Sequence, residues 1–293
     1  MNTILSPKLI DYFWLMLLSA IWGSAFVSIE LALNNFPPFI IAFGRIAIAS
    51  LFLLLFIYFK KLSFPKDLKT WSILILIGFL NNAMPFYLIS WGQQYISANT
   101  ASVMLAVGPF VALILSHFIT NDEKITIFKL IGVVLGFIGV FILLGDDFLS
   151  GQKDSLYGKI AMLIAVCGYI LSGFLIRKIS HVHTIICSSS MFLSATIMMS
   201  PFIFLIDFGN FTIFNNSSFV IIYLALVPTA IASLVRINLV QKVGVQFMSQ
   251  VAYLIPIFAI FWSWVFFDTI PKPVVIIALI FIFSGLFIRK LKG

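Results

Sequence analysis

The chain is broken into ten apolar runs, most of them close to the roughly 20 residues that an α-helix needs to cross the hydrocarbon core of a bilayer. They fall at about 12–33, 38–59, 70–90, 98–119, 126–144, 157–177, 184–206, 218–240, 246–267 and 272–289. Turn chemistry separates them: Asn34-Asn35-Phe36-Pro37-Pro38, Asn121-Asp122, Asn215-Asn216-Ser217-Ser218 and Pro271-Lys272-Pro273. With 62% of 293 residues hydrophobic and 10% charged, no segment is polar enough to form a soluble domain. The first run follows Lys8, is too long for a signal-peptide core and ends in no cleavage site, so it reads as a retained membrane helix. The expectation is an all-α polytopic membrane protein of ten transmembrane helices, with short connections that make consecutive helices antiparallel neighbours.

Charge sets the orientation. Counting Lys and Arg on alternating sides of the ten spans places fourteen on one side: Lys8, Lys60, Lys61, Lys66, Lys69, Lys124, Lys129, Arg177, Lys178, Arg236, Lys242, Arg289, Lys290 and Lys292. The other side holds Lys153, Lys159 and Lys272. By the positive-inside rule both termini are cytoplasmic. The net charge of +8 is explained by these flanking cations, with no basic stripe interleaved with aromatics for nucleic acid.

The two halves, 1–145 and 146–293, repeat each other. At a shift of 147 residues Pro109 falls on Pro256, Ser102 on Ser249, Asn99 on Gln246 and Trp22 on Tyr169. Five spans per half is an odd number, so the halves insert in opposite orientations. That is an inverted repeat, common among secondary transporters.

Several local patterns carry a family resemblance. They are Ala20-Ile21-Trp22-Gly23-Ser24-Ala25-Phe26, then Pro38 with Ala42 and Arg45, and Ala98-Asn99-Thr100-Ala101-Ser102 through Pro109 to Glu123-Lys124, Gly132 and Gly139. On these the chain resembles the ten-helix EamA-type group of the drug/metabolite transporter superfamily over nearly its whole length. The resemblance implies a transporter of small metabolites, often amino acids or related compounds and frequently exported. It also allows the fifth and tenth helices to lie at the periphery. The second half departs from the pattern: Asp268 lies closer to Pro256 than Glu123 does to Pro109, and the motif ends in Pro271-Lys272-Pro273.

Arg45 is the most demanding single residue. It stands inside the second run, seven residues past Pro38, where a cation costs about 2.5–3.5 kcal/mol on insertion scales. Three roles are open: an ion pair with Glu30, hydrogen bonds to helix-end carbonyls, or a fork for a substrate carboxylate. Gln246, Ser249, Gln250 and Tyr253 share one face of the ninth helix, and Asn99 and Ser102 occupy the related face of the fourth. Such stripes line a watery path or bond neighbouring helices. Asn81 and Asn82 precede Pro85 at mid-span, with Pro228 and Thr229 at the repeat-related place, which marks a binding site or a plain kink. Trp22 and Tyr169 are too deep for interfacial belts and either line the path or pack.

Gly132, Gly136 and Gly139, and Ala161, Ala165, Gly168 and Ser172, read as close-packing faces. Arg177, Lys178 and Arg236 read as interfacial. The separate Cys167 and Cys187, and the scattered His117, His181 and His183, suggest neither a disulfide nor a metal.

These features point to a secondary transporter of a small polar metabolite working by alternating access, with a central site near Trp22, Arg45, Asn81, Asn82, Tyr169 and Tyr253. Glu30 is the only acid placed to carry a proton, and it is near an edge, which favours facilitated diffusion or exchange. A flippase for a lipid-linked substrate is the alternative within transport. An intramembrane enzyme lacks HExxH, an aspartate pair or a Ser/His pairing, and a channel lacks a charged ring or filter loop. The expected partners are a small-molecule substrate and the lipid bilayer, with no cofactor and no nucleic acid. Monomer and homodimer both stand open, and the expected location is a bacterial inner membrane.

Overall fold

The computed structural model describes residues 5–149, 155–206, 216–267 and 273–290. Asn215, Lys153, Asp268, Pro271 and Lys272 lie outside these. The described secondary structure is helical. In chain order the helices are α1 (Leu9–Leu33), α2 (Pro38–Lys60), α3 (Leu68–Gly92), α4 (Ala98–Leu105 and Gly108–Ile119) and α5 (Ile127–Leu149). Then come α6 (Leu156–Lys178), α7 (Thr184–Leu205), α8 (Asn216–Ala225, Leu226–Ile231 and Ala232–Val243), α9 (Val245–Met248 and Val251–Phe267) and α10 (Val274–Lys290). Among the described residues eight of these are long and apolar enough to cross a membrane, while the described apolar parts of α5 and α10, Ile127–Ile142 and Ile276–Ile288, are shorter. The protein is an integral membrane protein.

Local chemistry starts and stops these helices as the sequence implies. Asp67 accepts the Thr70 N–H at 2.7 Å at the start of α3, and Ser97 accepts that of Thr100 at 3.1 Å at the start of α4. Pro38 opens α2, where its missing N–H has no partner to lose. Gly244 separates α8 from α9 at φ +91°, and a Cβ there would come within 2.5 Å of Glu123 Oε1. Glycine is required at that position by conformation and by space.

The proline-marked breaks take the same form in the third and eighth helices. The third and eighth helices widen into a π turn, at Phe79–Ala83 and Leu226–Ile231. The starts of these turns, Phe79 and Leu226, are 147 residues apart, the shift that aligns the two halves. Proline supplies the reason: it lacks an N–H and its ring pushes away the carbonyl four residues back. At Pro228 that carbonyl belongs to Leu224, and Thr229 Oγ1 takes it over at 2.6 Å. The fourth and ninth helices are each interrupted, after Leu105 and after Met248.

Packing crosses between the halves. α1 lies along α9 and α3 along α6, while α2 packs on α7 and on α8. The small face of α6 meets α3: a Cβ on Gly168 would stand 2.6 Å from Leu80 O, and one on Gly158 3.1 Å from Gly92 O. α5 and α10 pack more extensively on each other than any other pair does. The α5 glycines permit it, since a Cβ on Gly139 would meet Ala278 O at 2.8 Å and one on Gly285 would meet Gly132 O at 2.5 Å.

Candidate functional site: a central cavity with two arginines

A cavity of about 1000 Å³, counting its open part, lies between the halves. α1, α2, α3 and α4 contribute to its wall from residues 1–145, and α6, α7, α8 and α9 from residues 146–293. Both π turns and both helix interruptions border it, through Asn81 and Asn82, Pro228 and Thr229, Leu105 and Gly108, and Met248, Ser249 and Val251. The wall is mostly apolar.

Arg45 is buried in this wall, 4% exposed. Its Nε donates to Thr229 Oγ1 at 2.9 Å, and its guanidinium carbon stands 4.0 Å from the centre of the Phe86 ring. The hydroxyl of Thr229 therefore serves twice, closing the carbonyl freed by Pro228 and seating the arginine. The π turn in α8 is what brings that hydroxyl to α2. Trp22 Nε1 donates to the carbonyl of Pro228 in the same turn, at 3.1 Å. The anticipated ion pair between Glu30 and Arg45 is not formed: Glu30 is exposed, and the ion pairs among the described residues lie elsewhere.

Arg236 is the second cation of the wall, and this corrects its reading as an interfacial residue. It is 6% exposed. Its Nη2 donates to Tyr169 O at 2.9 Å and to Ser172 Oγ at 3.2 Å, while the buried Nη1 has no protein partner. Ser172 donates to Asn81 Oδ1 at 3.0 Å, and Asn81 Nδ2 donates to Asn82 Oδ1 at 2.8 Å. One polar chain thus runs from α8 through α6 into the π turn of α3, and it ends in a buried Asn82 Nδ2 with no partner. The Tyr169 side chain lies within electrostatic reach of both Arg45 and Arg236.

Of the residues singled out from sequence, Trp22, Arg45, Asn81, Asn82, Tyr169 and Ser249 line the cavity together. Ser102, Gln250 and Tyr253 are buried but do not line it. The stripe on the ninth helix assumed an unbroken α-helix, and the interruption between Met248 and Val251 turns its later members away. Tyr253 packs against α5, where a Cβ on Gly136 would meet its ring at 2.6 Å, and its hydroxyl donates to Val133 O at 2.9 Å. Gln250 Nε2 turns back to Gln246 O at 3.3 Å.

A second buried cluster ties one end of the bundle, and it corrects the reading of Arg177 as interfacial. Arg177, 1% exposed, pairs with Asp122 and, through Nη1 at 3.0 Å, with Glu123 Oε2. Glu123 also accepts the backbone N–H groups of Gln246 at 2.8 Å and Val245 at 3.4 Å. Gln246 Nε2 donates to Glu123 O at 2.5 Å and to Ser116 Oγ. The ends of α4 and α6 and the start of α9 meet at this carboxylate. Nearby in sequence, Lys242 Nζ pairs with Asp11 at 2.6 Å, joining the end of α8 to the start of α1.

Comparison with known proteins follows this geometry. The profile of the "EamA-like transporter family" matches the chain twice, over residues 9–145 and 156–289. An uncharacterized transporter of Bacillus subtilis (strain 168) is 24% identical over 252 residues, covering 83% of this chain and 84% of that one. A "Probable amino-acid metabolite efflux pump" of Escherichia coli (strain K12) is 27% identical over 241 residues, covering 82% and 73%. A solved crystal structure superposes with a TM-score of 0.77 over 96% of both chains at 15% identity, a likeness of fold.

Proposed function

The chain belongs to the EamA-like transporter family, a family of transporters and not of enzymes, and on that premise we propose that it moves a small polar metabolite across the membrane by alternating access. The central cavity is the observation that carries this reading. It lies between the halves, is bordered by the proline-widened turn of each, and gathers polar groups from both into a mostly apolar wall. Interrupted helices meeting at a repeat interface are where transporters hold their substrates. Amino acids and related compounds, moved outward, are the substrate class suggested by the relative whose name describes amino-acid metabolite efflux.

In this reading the chain spans the membrane ten times, as two inverted five-helix repeats with both termini cytoplasmic. The double match of the family profile and the excess of Lys and Arg on one side of the spans, twelve against three once the buried Arg177 and Arg236 are set aside, support that topology. The membrane is a bacterial inner membrane. With no carboxylate among the described residues lining the cavity, facilitated diffusion or exchange is favoured over proton coupling.

Purified protein in vesicles, offered amino acids, nucleosides and organic ions in competition with one labelled compound, tests the reading. Saturable exchange of one class, abolished by Arg45→Ala with membrane insertion intact, is the expected result. Unchanged exchange in that variant removes Arg45 from the site. Reporter tags that place residues 60–69 and the C-terminus on opposite faces of the membrane refute the topology.

A further inference from the structure

The charges of the cavity wall do not balance. Arg45 and Arg236 both line it, and among the described residues no Asp or Glu does. The described ion pairs occupy Asp122 and Glu123 with Arg177, and Asp11 with Lys242, while Glu30 is exposed. Among the described residues each arginine is seated by neutral acceptors only: Arg45 by Thr229, and Arg236 by Ser172 and the Tyr169 carbonyl. Each keeps donors in reserve. The two Nη groups of Arg45 make no hydrogen bond to the described residues, and Arg236 Nη1 is buried without a partner. Thr229 and Arg236 stand seven residues apart on α8, about 10 Å along the axis. Both guanidinium groups therefore act on one chamber.

Two cations held in a mostly apolar wall without a counter-ion are costly, and the cost falls when an anion enters. With Nε held by Thr229, the Nη pair of Arg45 presents the edge that takes a carboxylate through two parallel hydrogen bonds. The neighbouring surface is apolar and aromatic, from Trp22, Phe26, Ile29 and Phe86 to Ile170 and Ile255. It suits a hydrocarbon body and offers an ammonium group no carboxylate partner. A free α-amino acid would bring its ammonium one carbon away from the carboxylate, into the field of both arginines.

Resting on the transport reading above, but narrowing its substrate class from amino acids to their amine-free relatives, we propose that the cavity selects organic anions, a carboxylate on an apolar or aromatic body with no amine, and excludes zwitterions and cations. The carboxylate seats on the Nη edge of Arg45, and Arg236 strengthens the attraction from α8.

Three compounds of one skeleton test this on the unaltered full chain: 3-phenylpropionate, phenylalanine and phenethylamine. Binding is read by thermal stabilisation of the purified protein, and transport by counterflow in vesicles. The expected result is that 3-phenylpropionate binds at least about tenfold more tightly than phenylalanine, and that phenethylamine does not compete. Arg45→Gln weakens 3-phenylpropionate by about tenfold or more, Arg236→Gln weakens it less, and Arg45→Lys restores part of the loss. Binding of 3-phenylpropionate no stronger than that of the other two overturns the proposal, and this comparison needs no variant to fold. Unweakened binding in both glutamine variants overturns it as well. Selective binding of 3-phenylpropionate without counterflow upholds the anion site and refutes the transport reading. Counterflow of phenylalanine or phenethylamine in preference to 3-phenylpropionate does the reverse.

Discussion

Replacing Glu123 by glutamine keeps the shape of the side chain and removes its charge, so it isolates what the carboxylate contributes to the cluster at the end of the bundle. Glu123 is 1% exposed and meets a guanidinium at 3.0 Å and two backbone N–H groups at 2.8 and 3.4 Å. Removing one member of a buried pair costs about 3–5 kcal/mol. Arg177 keeps Asp122 as a second partner, which puts the expected loss near the lower bound, about 3 kcal/mol. These contacts join α4, α6 and α9, and any motion that parts the halves at this end must break them. The loss therefore falls on the joined state, and the equilibrium moves toward the parted one by about a hundredfold. A single cysteine at Ser249, which lines the cavity, reports the change in a background where Cys167 and Cys187 have been replaced. A membrane-impermeant thiol reagent is applied to the face that carries Lys124 and Lys178. Faster labelling in Glu123→Gln is the expected result. An equal rate, in a variant that inserts and is as heat-stable as the parent, refutes the idea that this cluster holds the two halves together.

Further outcomes follow from the same contacts. A cysteine at Ser249 reacts with aqueous thiol reagents and one at Tyr253 does not, because Tyr253 is sealed against Gly136 and Val133; comparable rates at both sites contradict the interruption in α9. Thr229→Val strands Leu224 O and Arg45 Nε together, and at about 1–3 kcal/mol for each unsatisfied group it lowers the melting temperature, whereas Thr229→Ser leaves it near the parent value. Gly285→Val overfills the α5–α10 contact, where even a Cβ would meet Gly132 O at 2.5 Å; a loss of about 1–3 kcal/mol is expected, read as a lower melting temperature, with selectivity among the three phenyl compounds unchanged.

The sequence shows the coarse architecture because lipid imposes it: run length, charge asymmetry and turn residues are one-dimensional signals. The proline positions were equally readable: Pro228 and the repeat-related Asn81 and Asn82 line the cavity, whereas Pro85, Pro109 and Pro256 do not. What the sequence concealed was direction around a helix axis. A π turn adds a residue to one turn and rotates everything beyond it. Thr229 consequently meets Arg45, and Arg236 faces the chamber rather than the membrane surface. The Gln246, Ser249, Gln250 and Tyr253 stripe failed because the ninth helix is interrupted between Met248 and Val251, and only Ser249 of the four remains on the wall. Glu123 carried a signal of another kind. It stood in a recognisable local pattern, yet its partners Arg177, Val245 and Gln246 come from distant parts of the chain, and no spacing rule connects them.

The arginine that looked least tolerable in the second apolar run now has a physical explanation in the defects of its neighbours. A proline in α8 frees a carbonyl; a threonine is needed to satisfy it; that threonine's hydroxyl has a lone pair left for Arg45 Nε. The break in helix geometry and the buried cation therefore share one hydroxyl. Only Nε is consumed in this arrangement. The two Nη groups of this cavity-lining side chain keep no hydrogen bond to the described residues, so the contact that makes the cation bearable in the membrane also leaves them available to a solute.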